Sequence, residues 1–379
     1  MTKDNERLVA QLRDAIDAAG GSIGFAEYMN AALYAPGLGY YSARSDQFGE
    51  AGDFVTAPES TPAFALPVAR QIEEILDSLG GGNLCELGAG SGALAAALLE
   101  ALAGIGALPD RYLVVEPSTA LREHQQARLA SLPARLGERI EWRQDVPRGF
   151  TGVVLANEVL DAIAASRFRV DTGGIRECRV GWSGDGFRWV EADLERGPVA
   201  EHLRAILASL DEPLPAGYVS ECAPERQAWV RRIAGRLERG VALVFDYGYG
   251  RAEYYHPQRR AGTLRCFHRH RAHDDPLILT GLQDISVHVD FTAIAEAAAE
   301  SGLSIAGYTT QAEFLVAAGL LEACRDLEPG SRRHAELTAQ IKRLTLPGEM
   351  GEAVKVLALA RGYAGALLGF SGRDLLSRL

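Results

Sequence analysis

Residues 83–92 read Asn83-Leu84-Cys85-Glu86-Leu87-Gly88-Ala89-Gly90-Ser91-Gly92. A short apolar run carries one acid, and glycines then alternate with small residues. Glycine lets the backbone turn sharply and leaves no Cβ in the way of a close neighbour. The stretch therefore predicts a strand over 83–88 that turns directly into a helix at about 91–104. The sequence downstream continues the alternation. Residues 111–116 predict a second strand, 118–131 a helix, and 140–143 and 153–156 two further strands. Strands alternating with helices imply an α/β fold with a parallel, doubly wound sheet.

Working outward, helices are expected at 5–19 and at 22–34, the second opened by Ser22 as N-cap. A long Gly- and Pro-containing loop follows, then a helix over 62–79. Residues 166–193 change to a two-residue alternation broken at Asp171–Gly174 and Ser183–Gly186, which predicts an inserted antiparallel meander. Helices at 199–210 and 224–238 lead to a buried strand, Val241-Ala242-Leu243-Val244-Phe245-Asp246-Tyr247, and then to a polar, His-rich loop region over 251–290. Helices at 291–301 and 311–323 and a late strand at 353–361 complete the reading. Four regions result: 1–80 with the N-terminal helices and first loop, 81–165 as the Rossmann-like core, 166–195 as the meander, and 196–379 as the rest of the core. The inserts form a smaller, substrate-side subdomain.

The glycine turn has a chemical reading. A helix N-terminus offers free N–H groups and a positive dipole end to a ligand. The pattern E-x-G-x-G-x-G resembles the first motif of class I methyltransferases and departs from the dinucleotide fingerprint G-x-G-x-x-G. In a site of that kind Glu86 faces the methionine part of S-adenosylmethionine, and Gly88, Ala89, Gly90 and Gly92 give close backbone approach. Glu116 ends the second strand, where an acid accepts from both ribose hydroxyls. Asp145 sits where the fold contacts adenine. The plainer alternatives are a turn closed by glycine alone and, for Asp145, a solvated turn residue.

The fourth strand runs into Asn157-Glu158-Val159-Leu160-Asp161-Ala162. In open α/β sheets ligands bind at the carboxyl ends of the strands, so Asn157, Glu158 and Asp161 would face the transferred methyl. Acids there can hold a guanidinium through paired hydrogen bonds. Helix capping by Asn157 is an equally good local reading. Methyl transfer is a direct displacement that depends on placement; it requires no metal and no nucleophilic residue.

Longer stretches resemble the MidA family, which includes the mitochondrial protein arginine methyltransferase needed to assemble respiratory complex I. They are Tyr34-Ala35-Pro36-Gly37-Leu38-Gly39-Tyr40-Tyr41, Gly52-Asp53-Phe54-Val55-Thr56-Ala57-Pro58-Glu59, Val115-Glu116-Pro117-Ser118 and Asn157 to Ala162. Later matches are Phe245-Asp246-Tyr247-Gly248-Tyr249, Gly262-Thr263-Leu264-Arg265, His288-Val289-Asp290-Phe291-Thr292 and Met350-Gly351-Glu352. The resemblance implies a class I methyltransferase fold and methylation of a protein arginine. It implies a place for Asp53, Thr56 and Glu59 over the cofactor or the substrate entrance: Thr56 on the cofactor, Asp53 and Glu59 with the catalytic acids. His268, His270, His273 and His288 read as loop or substrate-channel residues, because Arg265, Arg269 and Arg271 among them oppose a metal cation.

The net charge of −11 makes nucleic acid a poor partner, since duplex binding rests on Lys and Arg. Five dispersed cysteines form neither a disulfide framework nor a zinc pattern. The N-terminus lacks an apolar signal core and no stretch reaches the roughly 20 residues of a membrane span, so a cytoplasmic location is expected. The expected partner is a protein substrate, a respiratory-complex subunit among the candidates, with a homodimer also compatible. The alternatives are a methyltransferase for a small molecule or another side chain, and an assembly protein that binds S-adenosylmethionine without catalysis.

Overall fold

The computed structural model describes residues 3–43, 62–194, 196–324, 328 and 330–379. Asp53, Thr56 and Glu59 lie outside the described residues. In chain order the strands are β1 (Ser22–Gly24), β2 (Asn83–Leu87), β3 (Tyr112–Val115), β4 (Ile140–Arg143), β5 (Phe150–Asn157), β6 (Ser166–Asp171), β7 (Gly174–Ser183) and β8 (Gly186–Asp193). They continue as β9 (Val219–Cys222), β10 (Leu237–Tyr249), β11 (Arg265–His268), β12 (Arg271–His273), β13 (Asp284–Ser286), β14 (Val289–Asp290), β15 (Ser304–Thr310) and β16 (Val354–Arg361).

The central sheet runs β15-β16-β10-β5-β2-β3-β4, with β14 added alongside the end of β10. Strands β4, β3, β2, β5 and β10 are mutually parallel. Strand β16 is antiparallel to both its neighbours. The sheet is therefore mixed: the parallel strands expected from the βαβ order are present, and β16 adds a strand whose antiparallel direction the sequence did not announce. The apolar run at 353–361 shows that a strand is buried but not which way it points.

The layers follow from the two-residue period of a strand. In β10, Val241, Leu243 and Phe245 enter one core, with Val153 and Leu155 of β5 and the helices Pro62–Leu79 and Ala93–Ile105. Ala242 and Val244 enter the other core, with Val154 and Ala156 and the helices Pro224–Ala234 and Phe291–Glu300. Each fully buried Val, Leu or Phe contributes about 1.5–3 kcal/mol by leaving water. The two cores together fix the register of the central strands.

The meander exists as β6, β7 and β8, but its sheet is larger than 166–195. Strand β1 joins the far end of β7 and β9 flanks β6. Ser22 is thus a strand residue and not the expected N-cap. The helix begins at Phe25, capped by Gly24 without a side-chain bond. Cross-strand pairing of Ser22–Gly24 with Arg179–Gly181 outweighs the local capping preference. The 251–290 region is also structured: β11, β12 and β13 form a small antiparallel sheet. Its hairpin turns at Arg269 and His270, with φ of 49° and 61°. The usual Asn-Gly turn signal is missing there, which is why a loop was expected.

Candidate active site

A cavity of about 730 Å³ opens at the carboxyl ends of β2, β3 and β5. One side is the glycine turn. Gly88, Gly90 and Gly92 take φ of 64°, 52° and 80°, in the left-handed region that side chains resist. A Cβ on Gly88 would also stand 3.2 Å from Val159 Cγ2, a tight contact that adds to the dihedral preference for glycine. Gly88, Ala89 and Gly90 line the cavity. Gly92 is not among the lining residues. It caps the 93–105 helix and faces Gln125, 3.5 Å from where its Cβ would lie. In this structure it packs between two helices.

Two acids stand behind the turn. Glu86 is 2% exposed and accepts a 2.7 Å hydrogen bond from the Tyr112 hydroxyl. Burial pushes its carboxyl up to about 7, against that bond and helped by the nearby Glu116 charge. Glu116 accepts from Ser118 N at 2.9 Å and from Gln125 Nε2 at 3.1 Å. Burial raises its pKa too, opposed by those two bonds and by Arg122. Gln125 Nε2 also donates to Gly90 O at 3.0 Å, and its Oε1 accepts from Trp142 Nε1 at 3.1 Å. One amide therefore ties the glycine turn to the acid at the end of β3. Sequence reasoning missed Gln125, whose only signal is a buried amide on an otherwise polar helix. Asp145 lines the cavity as well, with Oδ2 bound to Arg236 at 2.7 Å and Oδ1 accepting from Val146 N at 2.8 Å.

The opposite wall is the segment after β5. Asn157, Glu158 and Asp161 all line the cavity. Glu158 has φ of 51°, an uncommon value for a residue with a side chain. Its N–H donates to Phe245 O at 2.8 Å, and Asn157 Nδ2 donates to Glu158 Oε1 at 3.3 Å. The turn is fixed by Asp246 at the end of β10. Asp246 Oδ2 accepts from the N–H groups of Val159, Leu160 and Asp161 at 3.1, 2.7 and 3.3 Å. Burial and the adjacent Asp161 carboxylate push Asp246 up, so the two acids share one region of strained charge. Asp161 is 9% exposed, and no side chain among the described residues hydrogen-bonds its carboxylate. Burial raises it to about 6, with Arg226 pulling the other way.

Aromatic residues complete the chamber. Tyr34 and Tyr41 stack at 5.5 Å and reach Ala162 O at 3.1 Å and Asp284 Oδ1 at 2.7 Å. His288 stacks on Tyr247 at 5.9 Å. Burial, with the cations Arg259 and Lys355, drives His288 down to about 3, so it is neutral near pH 7. The motifs quoted from the sequence contained both tyrosines without assigning them a role. His288 and His270 line the cavity, while His268 binds Leu282 O at 2.8 Å.

Residues 67–309 match the family model described as "Putative S-adenosyl-L-methionine-dependent methyltransferase". The protein arginine methyltransferase NDUFAF7 homolog, mitochondrial, of Drosophila melanogaster is 31% identical, covering 95% of this chain and 86% of that one. The human protein arginine methyltransferase NDUFAF7, mitochondrial, is 30% identical over 89% of this chain and 80% of its own. A Burkholderia thailandensis protein crystallised with S-adenosyl-homocysteine superposes with a TM-score of 0.94 at 40% identity, covering 99% of this chain and 97% of that one. The chain belongs to this methyltransferase family. Its cofactor is S-adenosylmethionine.

The methyltransferase's own residues fit that group. A Cβ at Gly88 would crowd Val159 at 3.2 Å, and a cavity of this size suits a ligand with a nucleoside and an amino-acid end. The cytoplasmic location expected from the sequence is contradicted by the Drosophila and human relatives, which are mitochondrial by name. A missing signal-peptide core describes one export route and does not separate these compartments. No helix among the described residues is long and apolar enough to cross a membrane.

Proposed function

We propose that this methyltransferase modifies the guanidinium of a protein arginine, with a respiratory-complex subunit as the target. When bound, S-adenosylmethionine supplies an electrophilic methyl group. The backbone of Gly88, Ala89 and Gly90 would hold it at the turn. Glu116 would accept from its ribose hydroxyls, Asp145 would lie at its adenine end and Glu86 would face its amino-acid end.

The observation that carries the acceptor assignment is Asp161: a buried carboxylate in the cavity wall, without a side-chain partner among the described residues. An acid held this way is costly until a cation joins it. Asp161 and Glu158 would accept N–H bonds from the guanidinium and draw its charge onto those nitrogens. The remaining nitrogen would then be aimed across the cavity, with Asn157 fixing Glu158. Placement of this kind is the main requirement of an in-line displacement. A neutral His288 would add no repulsion to a site that gathers two cations.

The test is transfer of a tritiated methyl group into proteins of an extract from the source organism, followed by acid hydrolysis and amino-acid analysis. Label in methylarginine supports the reading. Label in lysine, in a carboxyl ester or in a small molecule overturns it.

A further inference from the structure

Arg226 lies in the first turn of the Pro224–Ala234 helix and is 3% exposed. It does not line the cavity, and no sequence motif drew attention to it. Buried arginines are ordinarily paired with an acid. Among the described residues no carboxylate comes within 4.0 Å of this one. Its bonds go to main-chain oxygens instead. Nη1 donates to His288 O at 2.5 Å, and Nη2 to Val287 O at 2.7 Å, Asp161 O at 3.3 Å and Ile163 O at 3.5 Å. Val287 N in turn donates to Asp161 O at 3.0 Å. One guanidinium thus joins the segment carrying Asp161 to the segment carrying His288, and the two form facing parts of the cavity wall.

The charge of Arg226 is therefore not neutralised by contact. It acts on the acids just beyond the carbonyls, and Asp161, Asp246 and Glu221 are each drawn down by it against their burial. The other groups around Asp161 are Asp246 and Tyr247 from β10, Glu158 from its own segment, Asp284 from β13, the phenols Tyr34 and Tyr41, and the cavity-lining cations Arg232, Arg265 and Arg343. Burial keeps the phenols protonated, and the arginines of the lining belong to the open cavity, whereas Arg226 is buried behind the wall and bonded to the Asp161 carbonyl.

We infer that Arg226 is a positioning residue for methyl transfer: it locks the Asp161 and Val287–His288 segments into one acceptor wall and supplies the internal positive charge against which Asp161 stays ionised. The functional half rests on the proposal that Asp161 anchors the acceptor. The electrostatic half rests on the burial of Arg226 and its bond to the Asp161 carbonyl, and does not depend on which acceptor binds. A lysine at 226 keeps the charge but cannot reach these four carbonyls with a planar fork. A glutamine keeps donors and loses the charge. The two substitutions separate the roles.

The experiment follows aspartate carboxyl signals by carbon NMR across pH, with S-adenosyl-homocysteine present. Proteins labelled at Asp Cγ are compared as wild type, R226K and R226Q, with D161N to assign the resonance. The Asp161 midpoint should lie near pH 6, stay there in R226K, and rise by about one unit or more in R226Q. Methyl transfer to an acetylated Gly-Arg-Gly peptide gives the second readout. R226K should raise KM for the peptide about tenfold with unchanged cofactor Kd, and R226Q should carry its acid limb upward with the Asp161 midpoint. An unmoved Asp161 midpoint in folded R226Q overturns the inference. If R226Q does not fold, wild-type KM in R226K does the same. If the wild type methylates no arginine while D161N binds cofactor normally, the arginine reading fails and the carboxyl titration still decides the role of Arg226.

Discussion

Replacing Glu86 by Gln should stabilise the cofactor-free protein above neutral pH and do little near pH 4. Glu86 is 2% exposed, and burial lifts its carboxyl from 4.5 to about 7. A raised carboxyl favours the folded state while protonated. That favour is complete below about pH 4.5, the unfolded value, and is lost as pH rises through about 7. At about 1.36 kcal/mol per pH unit, the full loss is ~3.4 kcal/mol. Between pH 5 and pH 8 the same relation gives a change of about 2.5 kcal/mol. Glutamine is neutral throughout and can still accept from the Tyr112 hydroxyl, so the variant lacks this dependence. Urea unfolding of both proteins at the two pH values measures it. The stability difference in favour of Glu86→Gln should widen by about 2.5 kcal/mol from pH 5 to pH 8. Equal differences at the two values would refute the claim that burial governs this acid. Retention of so costly a carboxylate is then understandable only through a ligand that bonds to it.

Three further outcomes are expected. Glu116→Ala should weaken S-adenosylmethionine binding by ~1–3 kcal/mol in titration calorimetry, since ribose hydroxyls lose their acceptor; unchanged affinity would remove Glu116 from the site. Glu158→Gln should leave cofactor affinity intact and lower the transfer rate at least about tenfold, so full activity would discard its role at the acceptor. Wild-type transfer should fall as pH drops through about 6, because Asp161 is then protonated and loses its hold on a cation. In Asp161→Asn that acid limb should vanish from the kcat/KM profile, and a limb that persists would assign it to another group.

The glycine turn and the two acids behind it were legible as parts of one cavity wall because they depend on local chemistry. The glycine turn, Glu86 and Glu116 are each announced by a residue type that few other positions tolerate. The helix at Thr119–Leu129 even begins where expected, with Ser118 capping Leu121 N at 3.3 Å. What stayed hidden depends on partners distant in sequence. Gln125 matters because it bridges Gly90 and Glu116, and Arg226 because it meets carbonyls 61 to 65 residues away. Strand β1 exists because β7 lies beside it, and β16 reverses direction for reasons that its own apolar residues do not record. Asp246 ends a buried strand in the sequence, and nothing local records that its carboxylate is taken up by the backbone of the turn after β5.

The most direct test of the central claim is a crystal structure of the protein with S-adenosyl-homocysteine and an arginine-containing peptide. The account predicts the thioether beside Gly88 to Gly90 and the guanidinium on Asp161 and Glu158, in the same cavity. A guanidinium seated elsewhere, or an acceptor wall closed to it with the cofactor product in place, would contradict the account.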